Sequence, residues 1–315
     1  MNGKHPLISI IMTNYNYGHY LREAIDSALN QTYSKTELIV VDDGSTDNSR
    51  EIIESYDKKI IPLYKENGGT ASAFNAGFAV SQGKFICLLD SDDVFLPQKV
   101  ENIVKVFNTY SSAVVVYHKV QNIDDAGNPL DQPWPPYKVI KGDISHQVAR
   151  TGGWWPFPPT TALSFCRTFL SKVMNVPEQG GEYRVWVDAY LADLAPFLGE
   201  VVGIDQVLSH YRCHGTNQWN NPLDVPKNVQ EIRVLQDHEG RVSRLNQGLQ
   251  RLGINVEVSL ADHWPYQLLK YKLGHKKSLI PLSLLALRNP WEHRLISKLK
   301  TVTLLWLHRR SLSRI

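Results

Sequence analysis

The sequence predicts an α/β fold: a doubly wound, mostly parallel sheet flanked by helices, with a helical, basic C-terminal extension. Three observations carry this. Short β-branched apolar runs alternate with amphipathic stretches through the first part of the chain, the pattern of repeated strand–helix units. Three of those runs end in polar or acidic residues, at Thr13-Asn14-Tyr15, Asp42-Asp43 and Asp90-Ser91-Asp92, where open α/β sheets collect their ligands. The net charge of +3 is also unevenly divided: residues 270–315 hold eleven Lys and Arg against Glu292 alone, a local balance of +10 that leaves about −7 for the remainder.

Taken in order, residues 7–12 read as a strand, and Leu21, Ala24, Ile25, Ala28 and Leu29 recur at helical spacing after a polar loop. Residues 37–41 are a second strand that stops at Asp42-Asp43-Gly44-Ser45-Thr46-Asp47, where Ser45 or Thr46 is placed to cap a helix carrying Ile52 and Ile53. Residues 60–64 form a third strand, 71–80 a helix of small residues, and 84–89 a fourth strand. Parallel pairing of these strands would bring the three polar ends to one crevice. Residues 114–120 read as a further strand. The stretch 131–161, dense in Pro, Trp and Gly, predicts irregular loop structure over the sheet. Residues 185–198 are read as a helix that includes Asp188, 200–204 as a strand and 229–252 as a helix; the sequence holds no internal repeat.

Several classes are set aside. With 43% hydrophobic and 21% charged residues the chain has the composition of a packed globular protein. Cys87, Cys166 and Cys213 make neither a disulfide framework nor a CxxC metal pair, and no signal-peptide apolar region follows Met1, so a cytoplasmic chain is expected. No G-x-G-x-x-G follows the first strand, and Gly77 and Gly83-Lys84 lead to Phe85 rather than the Ser or Thr of a P-loop. Residues 279–287 are apolar but interrupted by Pro281 and too short to cross a bilayer. Leu295, Leu299, Val302 and Trp306 recur at helical spacing among Lys298, Lys300, Arg309 and Arg310. That is the pattern of a basic helix on an anionic membrane surface, or of a terminal helix docked on the body with a solvated rim. No nucleic-acid motif accompanies the charge.

Asp90-Ser91-Asp92 is an Asp-x-Asp motif, which at a strand end can hold Mg2+ or Mn2+ with one carboxylate and a ribose hydroxyl or metal-bound water with the other. Alone it is a weak signal, since a solvated acidic turn capping the next helix has the same sequence. A second acidic cluster at Asp42-Asp43 strengthens it, because like charges converging in one crevice repel unless a cation or hydrogen-bond donors intervene. Asp42-Asp43-Gly44-Ser45 could instead be a self-contained Asx turn. Trp154-Trp155 could stack on sugar, though packing of a loop onto the core is the simpler account.

Residues 8–16 with Gln31-Thr32, 37–47, Asn67-Gly68-Gly69 with Asn75-Ala76-Gly77, and 85–97 together resemble, in order, the family 2 glycosyltransferases of the GT-A fold. The resemblance covers residues 7–100 and thins beyond. It implies an inverting transfer from a nucleotide-diphosphate sugar, UDP or dTDP favoured, to a hydroxyl of a glycan or lipid-linked acceptor in cell-surface polysaccharide synthesis. It implies that Thr13 and Tyr15 line the base, Asp43 bonds base or ribose with Asp42 beside it, Asp90 faces the ribose or the metal's outer shell, and Asp92 is the metal ligand, Asp93 being structural. The matching catalytic base is Asp188, although Val187 stands where the family's Glu would be; pairing with Arg184 is the competing role. In Tyr211-Arg212-Cys213-His214-Gly215-Thr216-Asn217, Arg212 would neutralise the leaving diphosphate and His214 complete the metal shell.

This reading assigns residues 1–225 to the catalytic domain, with a nucleotide-sugar half at 1–110 and an acceptor half at 111–225, and 226–315 to a helical extension. The tail suggests a peripheral place at the inner face of the plasma membrane. A nucleotidyltransferase, or a non-catalytic module binding sugar nucleotide or glycan, are the alternatives.

Overall fold

The computed structural model describes residues 5–136, 138–178, 186–215, 227–274, 278–289 and 295–307. The chain divides into two compact units, Met1–Asp143 with Phe157–Asn220, and Ile144–Pro156 with Asn221–Ile315.

The first unit is built on one mixed, mostly parallel, curled sheet. Its strands are β1 (Ile8–Asn14), β2 (Thr36–Asp42), β3 (Ile61–Tyr64), β4 (Phe85–Asp90), β5 (Val94–Phe95), β6 (Ala113–Ile123), β7 (Lys141–Gly142), β8 (Leu163–Cys166) and β9 (Glu200–Arg212). The order across the sheet is β3-β2-β1-β4-β8-β6-β9-β5, with β7 on β9. The long ladders β1·β2, β1·β4 and β6·β9 are parallel, while the short strands β5, β7 and β8 pair antiparallel. Strands β1 and β4 lie inside the sheet and bury nearly every side chain, which is why they read as continuous apolar runs rather than alternating ones.

Helices α1 (Gly18–Leu29), α2 (Ser49–Glu54), α3 (Gly69–Val80), α4 (Lys99–Thr109), α6 (Arg167–Val173) and α7 (Val187–Leu194) belong to this unit. Leu21, Ala24, Ile25 and Ala28 of α1 and Val100, Ile103, Val104 and Phe107 of α4 enter one core with Ile10, Met12, Cys87 and Leu89. Phe85 and Phe107 stack there with centroids 4.2 Å apart. Each such large side chain contributes about 1.5–3 kcal/mol by leaving water. Helix α3 approaches the sheet so closely that a Cβ on Gly77 would lie 2.8 Å from Ile11 Cγ2, so only glycine keeps this packing.

Two local expectations are corrected. Helix α2 starts at Ser49 behind Asn48, and its first amide donates to Asp47 Oδ1 at 3.0 Å rather than to Ser45 or Thr46, which turn to Asn16: the Ser45 hydroxyl accepts from Asn16 N–H at 2.9 Å and the Thr46 N–H donates to Asn16 Oδ1 at 2.7 Å. Stretch 131–161 is not wholly irregular, since it contains β7 and helix α5 (Ser145–Arg150). Arg184, like Thr216 and Asn217, lies outside the described residues.

In the second unit α5 joins α8 (Lys227–Arg251), α9 (Trp264–Lys272), α10 (Ile280–Arg288) and α11 (Leu295–Leu307). The Ser259 N–H donates to Ala149 O at 3.0 Å and Arg150 pairs with Asp262, tying 149–150 to the chain after α8. Trp155 is buried completely and Trp154 stands edge-on to His263 at 6.1 Å, the packing account of this pair rather than the sugar-stacking one.

Candidate functional site

Parallel register brings the three polar strand ends together. Asn14 pairs with Asp42 and Thr13 with Asp90, so the carboxyl ends of β2, β1 and β4 stand side by side. Tyr15, just beyond β1, is 44% exposed, as a residue that could lie against a flat base must be.

The two aspartates at the end of β2 are used differently. Asp42 turns inward: its Oδ1 accepts from Asn14 Nδ2 at 3.0 Å and its Oδ2 from Ser45 N–H at 3.2 Å. Asp43 faces the next crossover, where its carboxylate accepts from Lys65 Nζ at 2.7 Å, Gly68 N–H at 3.0 Å and Gly69 N–H at 2.7 Å. The last two belong to the N-terminus of α3, whose unpaired amides suit an anion. Gly44 makes the turn just after them possible; its φ is +78° and a Cβ there would sit 2.8 Å from Asn67 N.

The Asp-x-Asp turn is pinned from the far end of the chain. Val94 and Phe95 of β5 pair with His210 and Ser209 of β9, which sets Asp90, Asp92 and Asp93 beside Arg212 and His214. His214 Nε2 lies 2.9 Å from Asp92 Oδ2, both side chains being largely buried, and the His214 ring packs against Tyr17 and Tyr20. Asp93 is buried completely; its Oδ1 accepts from Arg212 N–H at 2.8 Å and its Oδ2 from the Thr161 hydroxyl. Thr161 Oγ1 also accepts from Asp90 N–H at 3.1 Å, and its carbonyl accepts from the buried Lys99 Nζ at 2.7 Å.

Arg212 is spent within the protein. Its guanidinium donates to Asp92 O at 3.0 Å, Asp124 O at 3.2 Å, Asp125 O at 2.9 Å and Glu23 Oε2 at 2.6 Å, and lies over the Tyr20 ring. Rather than reaching outward as a diphosphate clamp, it positions the Asp92 main chain.

Carboxyl groups are crowded here. Burial, then Asp92 and Asp188, push the Asp90 carboxyl up to about 8, and burial with Asp92 and Asp90 pushes Asp93 well above the usual carboxylate range. Burial pulls the Lys99 ammonium down to about 7 against the opposing pull of Cys87, Asp93 and Asp90. Asp188 stands in the first turn of α7, and its charge is one of those that raise Asp90.

Among the described residues no three His, Cys, Asp or Glu gather into a metal cage. Mg2+ or Mn2+ needs less, since it commonly keeps water and takes phosphate oxygens alongside one or two protein ligands. Asp92 and His214, hydrogen-bonded to each other at 2.9 Å, are the residues that would hold such a cation, whose charge would ease the crowding of the three carboxyl groups. The sequence reading missed Thr161, Lys99, Lys65 and Glu23, of which only Lys65, close behind a short strand, had any local signal.

Comparison with known proteins agrees with this architecture. Residues 9–172 match the model of Glycosyl transferase family 2. An uncharacterized glycosyltransferase, alr2836, of Nostoc sp. is 37% identical over 268 residues, 84% of this chain and 82% of that protein. S. aureus TarS, solved with UDP-GlcNAc, superposes with a TM-score of 0.59 at 16% identity, covering 97% of this chain and 88% of the other. Mannosyltransferase PcManGT from Pyrobaculum calidifontis, solved with GDP-Man and Mn2+, gives 0.52 at 17% identity, covering 97% and 88%. The sheet order, the polar strand ends, the family match and the relative from Nostoc agree: the chain belongs to glycosyltransferase family 2 and has its GT-A fold.

Proposed function

We propose that this glycosyltransferase is a metal-dependent inverting enzyme that moves a sugar from a UDP- or dTDP-sugar to a hydroxyl of a glycan or lipid-linked acceptor, in cell-surface polysaccharide synthesis. The observation that carries the reading is the Asp92–His214 pair at 2.9 Å, set beside Asp90 at the end of β4 in the crevice where α/β sheets bind ligands. The likeness to TarS, solved with UDP-GlcNAc, and to PcManGT, solved with GDP-Man and Mn2+, supports it.

In this reading Thr13 and the exposed Tyr15 line the base. Asp43 bonds the base or ribose, while Asp42 holds the loop that presents it. Asp90 faces the ribose or the metal's outer shell, and Asp92 with His214 would hold Mg2+ or Mn2+. The cation, when bound, offsets the charge that develops on the leaving diphosphate. Asp188 removes the proton of the acceptor hydroxyl as that oxygen attacks the anomeric carbon from the face opposite the nucleotide. Arg212 contributes by fixing the Asp92 main chain. A peripheral place at the inner face of the plasma membrane, close to a lipid-linked acceptor, is the localisation this reading favours.

The test is calorimetric titration of UDP, dTDP and GDP into the wild type and Asp92→Ala, with Mn2+ and with EDTA. Binding of UDP or dTDP that needs Mn2+ and disappears in Asp92→Ala supports the reading. Absence of nucleotide binding under every condition refutes it.

A further inference from the structure

We propose that α10 and α11 form a peripheral hairpin that lies on an anionic lipid bilayer, with its apolar face on the acyl boundary and its basic residues among the headgroups. This deepens the peripheral localisation above, and vesicle binding and nucleotide binding are read separately so that either can fail alone.

The two helices pack together, and the Trp306 indole N–H donates to the Ser283 hydroxyl at 3.0 Å, joining them. Each nevertheless turns apolar residues to solvent. On α10, Ile280, Leu284 and Leu287 recur every three or four positions along one stripe, with Ile280 60% exposed, while Leu282 and Ala286 are buried. On α11, Leu295, Ile296 and Leu307 are 66%, 82% and 71% exposed, and Leu299 and Trp306 are open as well, whereas Leu305 is buried. At about 100° per residue these five and the exposed Leu304 span an arc of roughly 180°. Burying one side of a helix and leaving a broad apolar arc open costs solvation unless something covers it.

What covers it is indicated by charge. Neither helix contains an Asp or Glu, and Arg288, Lys298 and Lys300 accompany the apolar residues. The surrounding residues 270–315 carry eleven basic side chains against one acid. A second copy of this surface would set like charges face to face, which is unfavourable. Anionic headgroups reward the same lysines while the acyl boundary takes the leucines. The helices cannot span the bilayer: α10 has 9 residues and α11 has 13, against about 20 for a span, and no helix among the described residues is long and apolar enough to cross. They must therefore lie in the interface.

The experiment uses the full chain and sedimentation with vesicles of phosphatidylcholine, alone or mixed with phosphatidylglycerol. The wild type is expected to sediment with the mixed vesicles, to be released by high salt, and to bind phosphatidylcholine alone at least about tenfold more weakly. Lys298→Gln with Lys300→Gln should weaken binding to mixed vesicles by roughly thirtyfold. Ile296→Glu with Leu299→Glu should abolish it, and titration with UDP and Mn2+ should be the same for these variants as for the wild type. Equal binding to both vesicle types overturns the anionic assignment. Failure of the wild type to sediment, or sedimentation of Ile296→Glu with Leu299→Glu like the wild type, overturns the docking. So does a wild-type dimer in light scattering that Ile296→Glu dissociates without any vesicle binding, which would identify a second copy as the occupant.

Discussion

Thr161→Val removes one hydroxyl and keeps the shape of the side chain. That hydroxyl accepts from Asp90 N–H and donates to Asp93 Oδ2, and Thr161 and Asp93 are both buried completely. Valine leaves the Asp90 amide without this acceptor and the Asp93 carboxyl without this donor. Each buried group stripped of its partner costs about 1–3 kcal/mol, so a loss of about 2–6 kcal/mol is expected for the pair. For a unit of this size each kcal/mol lowers Tm by about 2–4 °C, so calorimetry should show the sheet-containing unit melting roughly 4–24 °C lower. Because Asp90 and Asp93 flank Asp92, Mn2+-dependent UDP affinity should fall in the same variant, and Thr161→Ser should restore both. A Thr161→Val protein that melts with the wild type and binds UDP and Mn2+ equally well would refute the view that this hydroxyl holds the acidic turn.

Three further outcomes are expected. Asp188→Asn should lower the transfer rate by about 10²–10⁴ while leaving UDP affinity in place, as single-turnover kinetics and calorimetry will distinguish; a rate within twofold or so would remove Asp188 as the base. The Asp90 carboxyl, raised to about 8 from 3.8, keeps its proton when folded after the unfolded chain has lost it. Its contribution to metal-free stability is therefore complete below about 4 and is lost as pH rises toward 8; Asp90→Asn should flatten that part of the Tm–pH curve, and an unchanged slope would count against it. Gly44→Ala places a Cβ 2.8 Å from Asn67 N at a φ of +78°, so it should cost at least about 1 kcal/mol and weaken nucleotide binding, read by thermal melting and UDP titration.

Much of the site was legible because strand ends carry local signals. Apolar runs that stop at Asn14, Asp42 and Asp90 declare both the strand and its polar end, and parallel pairing brings those ends together. The role of Arg212 was not legible, because three of its partners are main-chain carbonyls of Asp92, Asp124 and Asp125, and a carbonyl leaves no mark in the sequence. Thr161 and Lys99 were hidden for a related reason: one ends a stretch that reads as loop, and the other occupies a helix position where a lysine ordinarily reaches solvent. The inclusion of Ile144–Pro156 in the C-terminal unit depends on contacts such as Arg150 with Asp262, which neither segment announces alone.

The reach of Arg212 across 189 residues to Glu23 also bears on the order of events during synthesis and folding. Strands β1 to β4 emerge first and can pair early, laying down the floor with Asp43 and Asp90. The edge that carries His214 waits for β9, whose arrival closes loops spanning more than half the chain, and such long-range closure is the slow part of folding. A nascent or truncated chain that stops before β9 would therefore have the polar strand ends but no Asp92–His214 pair, and that pair would double as a sign that the last strand is home.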